Sequence, residues 1–75
     1  MIETDIIDLI ASHLGIDPED VKMNHHFIDD LKCDSLDTVE MVLLVEEHFN
    51  IEIPDDEVER METVRSMVNY IKANV

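Results

Sequence analysis

The sequence predicts an all-α fold, a small four-helix bundle of three main helices and one short one, with a long loop between the first two. Three observations carry this expectation. Aliphatic residues recur at helical spacing in three separate stretches, and residues suited to helix ends bracket those stretches. No internal repeat, linker or low-complexity stretch divides the chain, so residues 1–75 read as one domain.

Ile6, Ile7, Ile10 and Leu14 share one face of a first helix that starts at Glu3 or Thr4 and stops before Gly15, the only glycine. Asp17-Pro18-Glu19-Asp20 has the form of a single capped turn, with Asp17 accepting a free amide and Pro18 at the first helical position. From Val21 to Cys33 a long loop follows, and a loop of this length in a small domain needs anchoring, which Phe27, Ile28 and Leu31 are expected to supply by tucking beneath it.

The second helix is expected to start at Asp34 or Ser35 and run to about Phe49. Asp34 is its N-cap and Asp37, three positions on, completes a capping box. Ile51, Ile53 and Pro54 break the helical period. Asp55-Asp56-Glu57-Val58 then reads as a short, acid-capped helix to about Met61, its acids at the positive end of the dipole. After Thr63 a last helix presents Val64, Met67, Val68 and Ile71 as one buried stripe.

Composition narrows the function. Nineteen acidic and five basic residues give 5 − 19 = −14, which excludes nucleic acid and anionic membrane surfaces as partners. One small core leaves little room for a deep catalytic pocket, so an enzyme is not expected. At 45% apolar content the chain nevertheless folds. Its self-repulsion predicts stability that rises with salt or a bound cation. Cys33, the single cysteine, has no internal disulfide partner, and a monomer is expected. No basic signal start, Arg-rich transit segment or membrane-length apolar run is seen, which suits a cytoplasmic chain without membrane insertion.

The second helix is apolar on two arcs when its residues are placed at about 100° intervals. Met41, Val42, Val45 and Phe49 form a core face. Leu36, Val39 and Leu43 form another, centred beside Ser35 and bordered by Glu46 on one side and by Glu40 and Glu47 on the other; Leu44 also points away from the core. A helix apolar nearly all round is often simply buried, but a bundle this small has few helices to cover both arcs, which favours a docking surface for a basic partner. Ser35 projects its hydroxyl from a helix start, where free amides and the dipole favour an attached phosphate. Asp34 and Asp37 would repel that phosphate, so they need another role: capping, metal binding or partner recognition. Taken alone, a serine here is more often a cap.

The histidines give no metal signature: His25 and His26 are adjacent, and His13 and His48 lie far apart in sequence, so solvated or capping roles are expected. Carboxylates near Asp29-Asp30 or Asp34-Asp37 are sites for weak divalent binding, without the glycine of a calcium loop. No Gly-x-Ser-x-Gly elbow supports Ser35 as a hydrolytic nucleophile.

The stretch Leu31-Lys32-Cys33-Asp34-Ser35-Leu36-Asp37-Thr38-Val39-Glu40 strongly resembles the acyl carrier proteins, and the likeness continues through Glu46-Glu47-His48-Phe49, Ile53-Pro54-Asp55-Asp56 and the terminal apolar stripe. That resemblance implies a four-helix bundle with 4′-phosphopantetheine, derived from coenzyme A by a phosphopantetheinyl transferase, joined to Ser35 through a phosphodiester. It implies a non-catalytic carrier of growing fatty acyl thioesters, visited by synthases, reductases, dehydratases and acyltransferases through their basic patches. Asp34, Asp37, Glu40, Glu46 and Glu47 then become partner-binding acids, with Leu36 and Leu43 as apolar contacts. It also implies that the acyl chain slips between the helices. Two positions depart from the pattern: family members often have Gly and Ala where this chain has Lys32 and Cys33. Carriers of polyketide, aminoacyl or lipid A precursors share this chemistry, and an unmodified acidic interaction module is the alternative of another class.

Overall fold

The computed structural model describes all 75 residues. Four helices make the architecture: α1 (Ile2–Leu14), α2 (Ser35–Phe49), α3 (Asp55–Arg60) and α4 (Val64–Asn74), with a single 3-10 turn at Pro18–Asp20. The expected all-α bundle is observed, and α1 packs on both α2 and α4.

The helix ends follow local chemistry. Gly15 closes α1 in the left-handed conformation, φ 70°, and the amides of Gly15 and Ile16 both return to the Ala11 carbonyl. Asn50 ends α2 in the same way, φ 56°, its amide and that of Ile51 returning to Glu46. Asp17 caps the 3-10 turn by accepting from the Glu19 amide at 3.0 Å. Thr63 and Ser66 form a capping box at the start of α4, which the sequence reading did not identify although a Thr with a hydroxyl three residues on was its signal.

Three expectations need correction. The first helix starts at Ile2, not Glu3 or Thr4, because Asp5 donates to the Met1 carbonyl at 3.0 Å and Ile2 extends the apolar stripe of Ile6 by one turn. No side chain caps α3, whose amides at Glu57 and Val58 return instead to the Pro54 carbonyl; its acids complement the dipole, and Glu57 also pairs with Arg60 at 3.4 Å. Ile28 is 64% exposed rather than tucked under the loop. The amides of Asp30 and Leu31 both return to the His26 carbonyl, so this segment makes a helix-like turn. Phe27 and Leu31, four apart, face inward, and Ile28, roughly 100° further round, faces out.

One core gathers residues from every element except the 3-10 turn and α3, and α3 lays half-buried Val58 against it. Ile6, Ile10, Val45, Val64, Val68 and Ile71 are fully enclosed, each such side chain worth about 1.5–3 kcal/mol by burial. No polar or charged residue is buried. The net charge of −14 is therefore entirely a surface property.

Backbone bonds fasten the long loop to the start of α4. Phe27 donates to the Glu62 carbonyl at 3.0 Å, Val64 to His25 at 3.1 Å and Arg65 to Met23 at 2.9 Å. His25 also caps the loop, its Nδ1 accepting from the Lys22 amide at 3.1 Å. The loop thus reaches Cys33 as an anchored segment and sets where α2 begins.

Candidate functional site

Ser35 is the first residue of α2 and is exposed. It does not cap the helix. Asp34 does so, accepting from the Asp37 amide at 2.8 Å, while Asp37 accepts from the Asp34 amide at 3.2 Å and the Thr38 hydroxyl donates to the Asp34 carbonyl at 3.1 Å. Because the acids hold the helix end, the Ser35 hydroxyl stays available to solvent.

A groove of about 520 Å³ opens beside that hydroxyl. The long loop contributes Phe27 and Ile28 to its wall, α2 contributes Ser35 and Thr38, and the segment around α3 contributes Val58 and Met61. Exposed Ile28 joins Phe27, Val58 and Met61 as the apolar part of a lining that also includes His26, Asp29, Glu59 and Glu62. A smaller cleft of about 190 Å³ runs between α2 and α3, lined by Val39, Leu43, Ile53 and Val58 among others. Both hollows border the bundle on the same side of α2.

The second apolar arc is open to solvent. Leu36 is 63% exposed, Val39 and Leu43 are each 52% exposed, and Leu44 is 37% exposed. Met41, Val42 and Val45 on the other arc are buried, and Phe49 packs half-buried against them. A helix buried all round is thereby excluded.

The acids near Ser35 divide by what they touch. Glu40 and Glu47 are exposed. Asp34 and Asp37 close the capping box. Glu46 is half-buried, and its carboxylate accepts from the Ile53 amide at 2.8 Å. Further away, Glu3 accepts from the Lys72 ammonium at 2.7 Å, and this hydrogen bond with its charge attraction holds the Glu3 carboxyl below its ordinary range.

Lys32 and Cys33 lead into α2. Lys32 adopts φ 60°, the left-handed region that favours glycine. Cys33 is buried, and its amide donates to the Phe27 carbonyl at 2.9 Å. Burial, followed by the charges of Asp37 and Asp34, pushes the Cys33 thiol up. An enclosed, protonated thiol does not suit exchange with a thiol outside the fold.

Folding also joins residues that are remote in sequence. His13 Nε2 lies 3.4 Å from Asp37 Oδ1 and 3.4 Å from Glu40 Oε2, and His48 Nε2 lies 3.6 Å from Asp5 Oδ2. Both histidines bridge α1 and α2, contacts that no local spacing announces.

Residues 4–71 match the family described as the phosphopantetheine attachment site. The chain is 50% identical over 74 residues to an acyl carrier protein of Clostridium acetobutylicum, covering 99% of this chain and 96% of that protein. It is 49% identical over 70 residues to an acyl carrier protein of Wolinella succinogenes, covering 93% and 92%. A solved structure of the acyl carrier protein from Enterococcus faecalis superposes with a TM-score of 0.83 at 34% identity, covering 99% of this chain and 94% of that one.

Proposed function

This chain belongs to the acyl carrier proteins, whose prosthetic group is 4′-phosphopantetheine, and from that premise we propose that it carries growing fatty acyl chains between the enzymes of fatty acid synthesis. Ser35 is the proposed attachment residue. The observation that carries this reading is the exposed Ser35 hydroxyl, released from capping by Asp34 and Asp37 and set at the edge of the groove walled by Phe27, Ile28, Val58 and Met61. The site fits the group: an accessible hydroxyl oxygen for the phosphodiester, a helix N-terminus that favours its negative charge, and a half-apolar channel beside it. When attached, the arm supplies a terminal thiol that holds acyl groups as thioesters.

The chain's own residues do three things in this proposal. Ser35 Oγ is the point of esterification, held in position by the first turn of α2. Leu36, Val39 and Leu43 offer an apolar contact to visiting enzymes, and the exposed Glu40 and Glu47 steer basic patches toward it, with Asp34, Asp37 and Glu46 adding charge at the rim. Such steering raises association rates by about 10–10³-fold and weakens with salt. The cleft between α2 and α3 gives an acyl chain an apolar retreat. None of these roles requires bond-making by the protein, so we infer a carrier, not an enzyme, working as a monomeric single domain of residues 1–75 in the cytoplasm. No helix is long and apolar enough to cross a membrane.

Incubation of the apo chain with coenzyme A and a phosphopantetheinyl transferase, followed by intact-mass measurement, tests the attachment. The wild type gains one phosphopantetheinyl mass and Ser35→Ala gains none; no gain in the wild type, or equal gain in both, sinks the reading. The mass of acyl groups on the protein purified from its own cells separates fatty acyl cargo from polyketide, aminoacyl or lipid A precursors.

A further inference from the structure

We propose that His13, Asp37 and Glu40 form a binding site for a zinc-class divalent metal ion that clamps α1 to α2 beside the modification site. The three side chains bring one imidazole nitrogen and two carboxylate oxygens within 4.8 Å of one another. A tetrahedral ion with ligand bonds of about 2.0–2.1 Å separates its ligand atoms by roughly 3.3–3.4 Å. His13 Nε2 lies 3.4 Å from Asp37 Oδ1 and 3.4 Å from Glu40 Oε2, so two edges of that tetrahedron already have the right length. Both separations exceed the usual reach of an N–H···O hydrogen bond, about 2.7–3.2 Å. The nitrogen faces both carboxylates at ion-pair distance and is hydrogen-bonded to neither.

The supports are built in. Asp37 and Glu40 are three residues apart and share one face of α2. Asp37 Oδ2 is held by the Asp34 amide at 3.2 Å, which leaves Oδ1 turned toward His13, the arrangement in which an outer hydrogen bond orients a metal ligand. His13 stands in the last turn of α1, half-buried and fixed by the Gly15 stop. Glu40 is exposed, so its longer side chain can shorten the third edge and leave an outward position for water. The imidazole selects against magnesium and calcium, which prefer oxygen alone. A dication here also neutralises two carboxylates on a surface of net charge −14. If the carrier reading holds, an occupied site silences Asp37 and Glu40 toward basic partners.

The test uses the full apo chain, stripped with chelator, and ZnCl₂ as the probe. Calorimetric titration and ¹⁵N NMR of the imidazoles are run on the wild type, His13→Gln and Glu40→Gln, with MgCl₂ as the control for charge screening. The expected result is one zinc per chain, a zinc-dependent shift of the His13 Nε2 resonance and a higher Tm. Each variant keeps its magnesium response but loses zinc affinity by on the order of 10–100-fold. Equal zinc affinity in the wild type and both variants, or a resonance shift confined to His25, His26 or His48, overturns the proposal. None of these readouts involves Ser35, so failure here and failure of the carrier reading are separately visible.

Discussion

The carboxylate of Glu46, on α2, accepts a 2.8 Å hydrogen bond from the backbone amide of Ile53, seven residues on and beyond the end of the helix. This bond turns the chain back toward α3 and places Ile53 in the core. Glu46 therefore serves the fold whatever it contributes to docking. Glu46→Ala leaves a part-buried amide unpaired and is expected to cost about 1–2 kcal/mol. At about 4–8 °C of Tm per kcal/mol for a chain of this size, the loss is measurable by circular dichroism. Glu46→Gln, which keeps an acceptor, should cost less than half as much, and exposed Glu47→Ala should stay within about 0.5 kcal/mol. Equal effects of Glu46→Ala and Glu47→Ala would show that the bond carries no weight.

Asp34 combines a structural task with a charge beside Ser35, and two substitutions separate them. Asparagine caps helices as well as aspartate, so Asp34→Asn should keep stability within about 0.5 kcal/mol while Asp34→Ala loses about 1 kcal/mol. Urea unfolding checks this. If the charge is also read by the transferase, both variants are modified more slowly than the wild type, to a similar extent. Slow modification of Asp34→Ala alone would assign the effect to the helix end instead.

Lys32 holds the left-handed conformation at φ 60° on the approach to α2. Side chains with a Cβ resist this region and glycine does not, although glycine also loses more freedom on folding. Lys32→Gly is therefore expected to be more stable than Lys32→Ala by about 0.5–1 kcal/mol, both variants having the same charge. Identical midpoints in denaturant would remove backbone strain as an explanation.

Cys33 predicts a loss of stability on the alkaline side. Its thiol is pushed up in the folded chain, first by burial and then by Asp37 and Asp34. Below the ordinary thiol pKa of about 8.5 both states are protonated and the contribution is fully present. As pH rises through that value toward the higher folded one, the unfolded chain ionises first and stability falls. In chelator, the Tm of the wild type should decline more steeply between pH 8 and about 10 than that of Cys33→Ala. The same burial should slow reaction with an aromatic disulfide reagent by on the order of a hundredfold relative to the chain in urea. A native thiol that reacts at the unfolded rate would place Cys33 outside the core.

Much of this protein is decided within a few residues of each position, and that part was legible in the sequence. The apolar stripe Val64, Met67, Val68 and Ile71, the stop at Gly15, the capping of α2 by Asp34 and Asp37, and the place of Ser35 on its first turn all depend on neighbours within about one helical turn. The two arcs of α2 were visible as well, because a helix sorts its side chains by angle alone. The assignment of Met41, Val42, Val45 and Phe49 to the core was legible too; that no further element covers Leu36, Val39 and Leu43 was decided by how the bundle packs. The outward turn of Ile28 follows from a local helix-like turn at His26 to Leu31 that the long loop hid from a reading by spacing, whereas the bond from Ile53 to Glu46 and the position of His13 between Asp37 and Glu40 required the tertiary structure. These last two depend on what another segment places opposite them, and spacing along the chain carries no record of that.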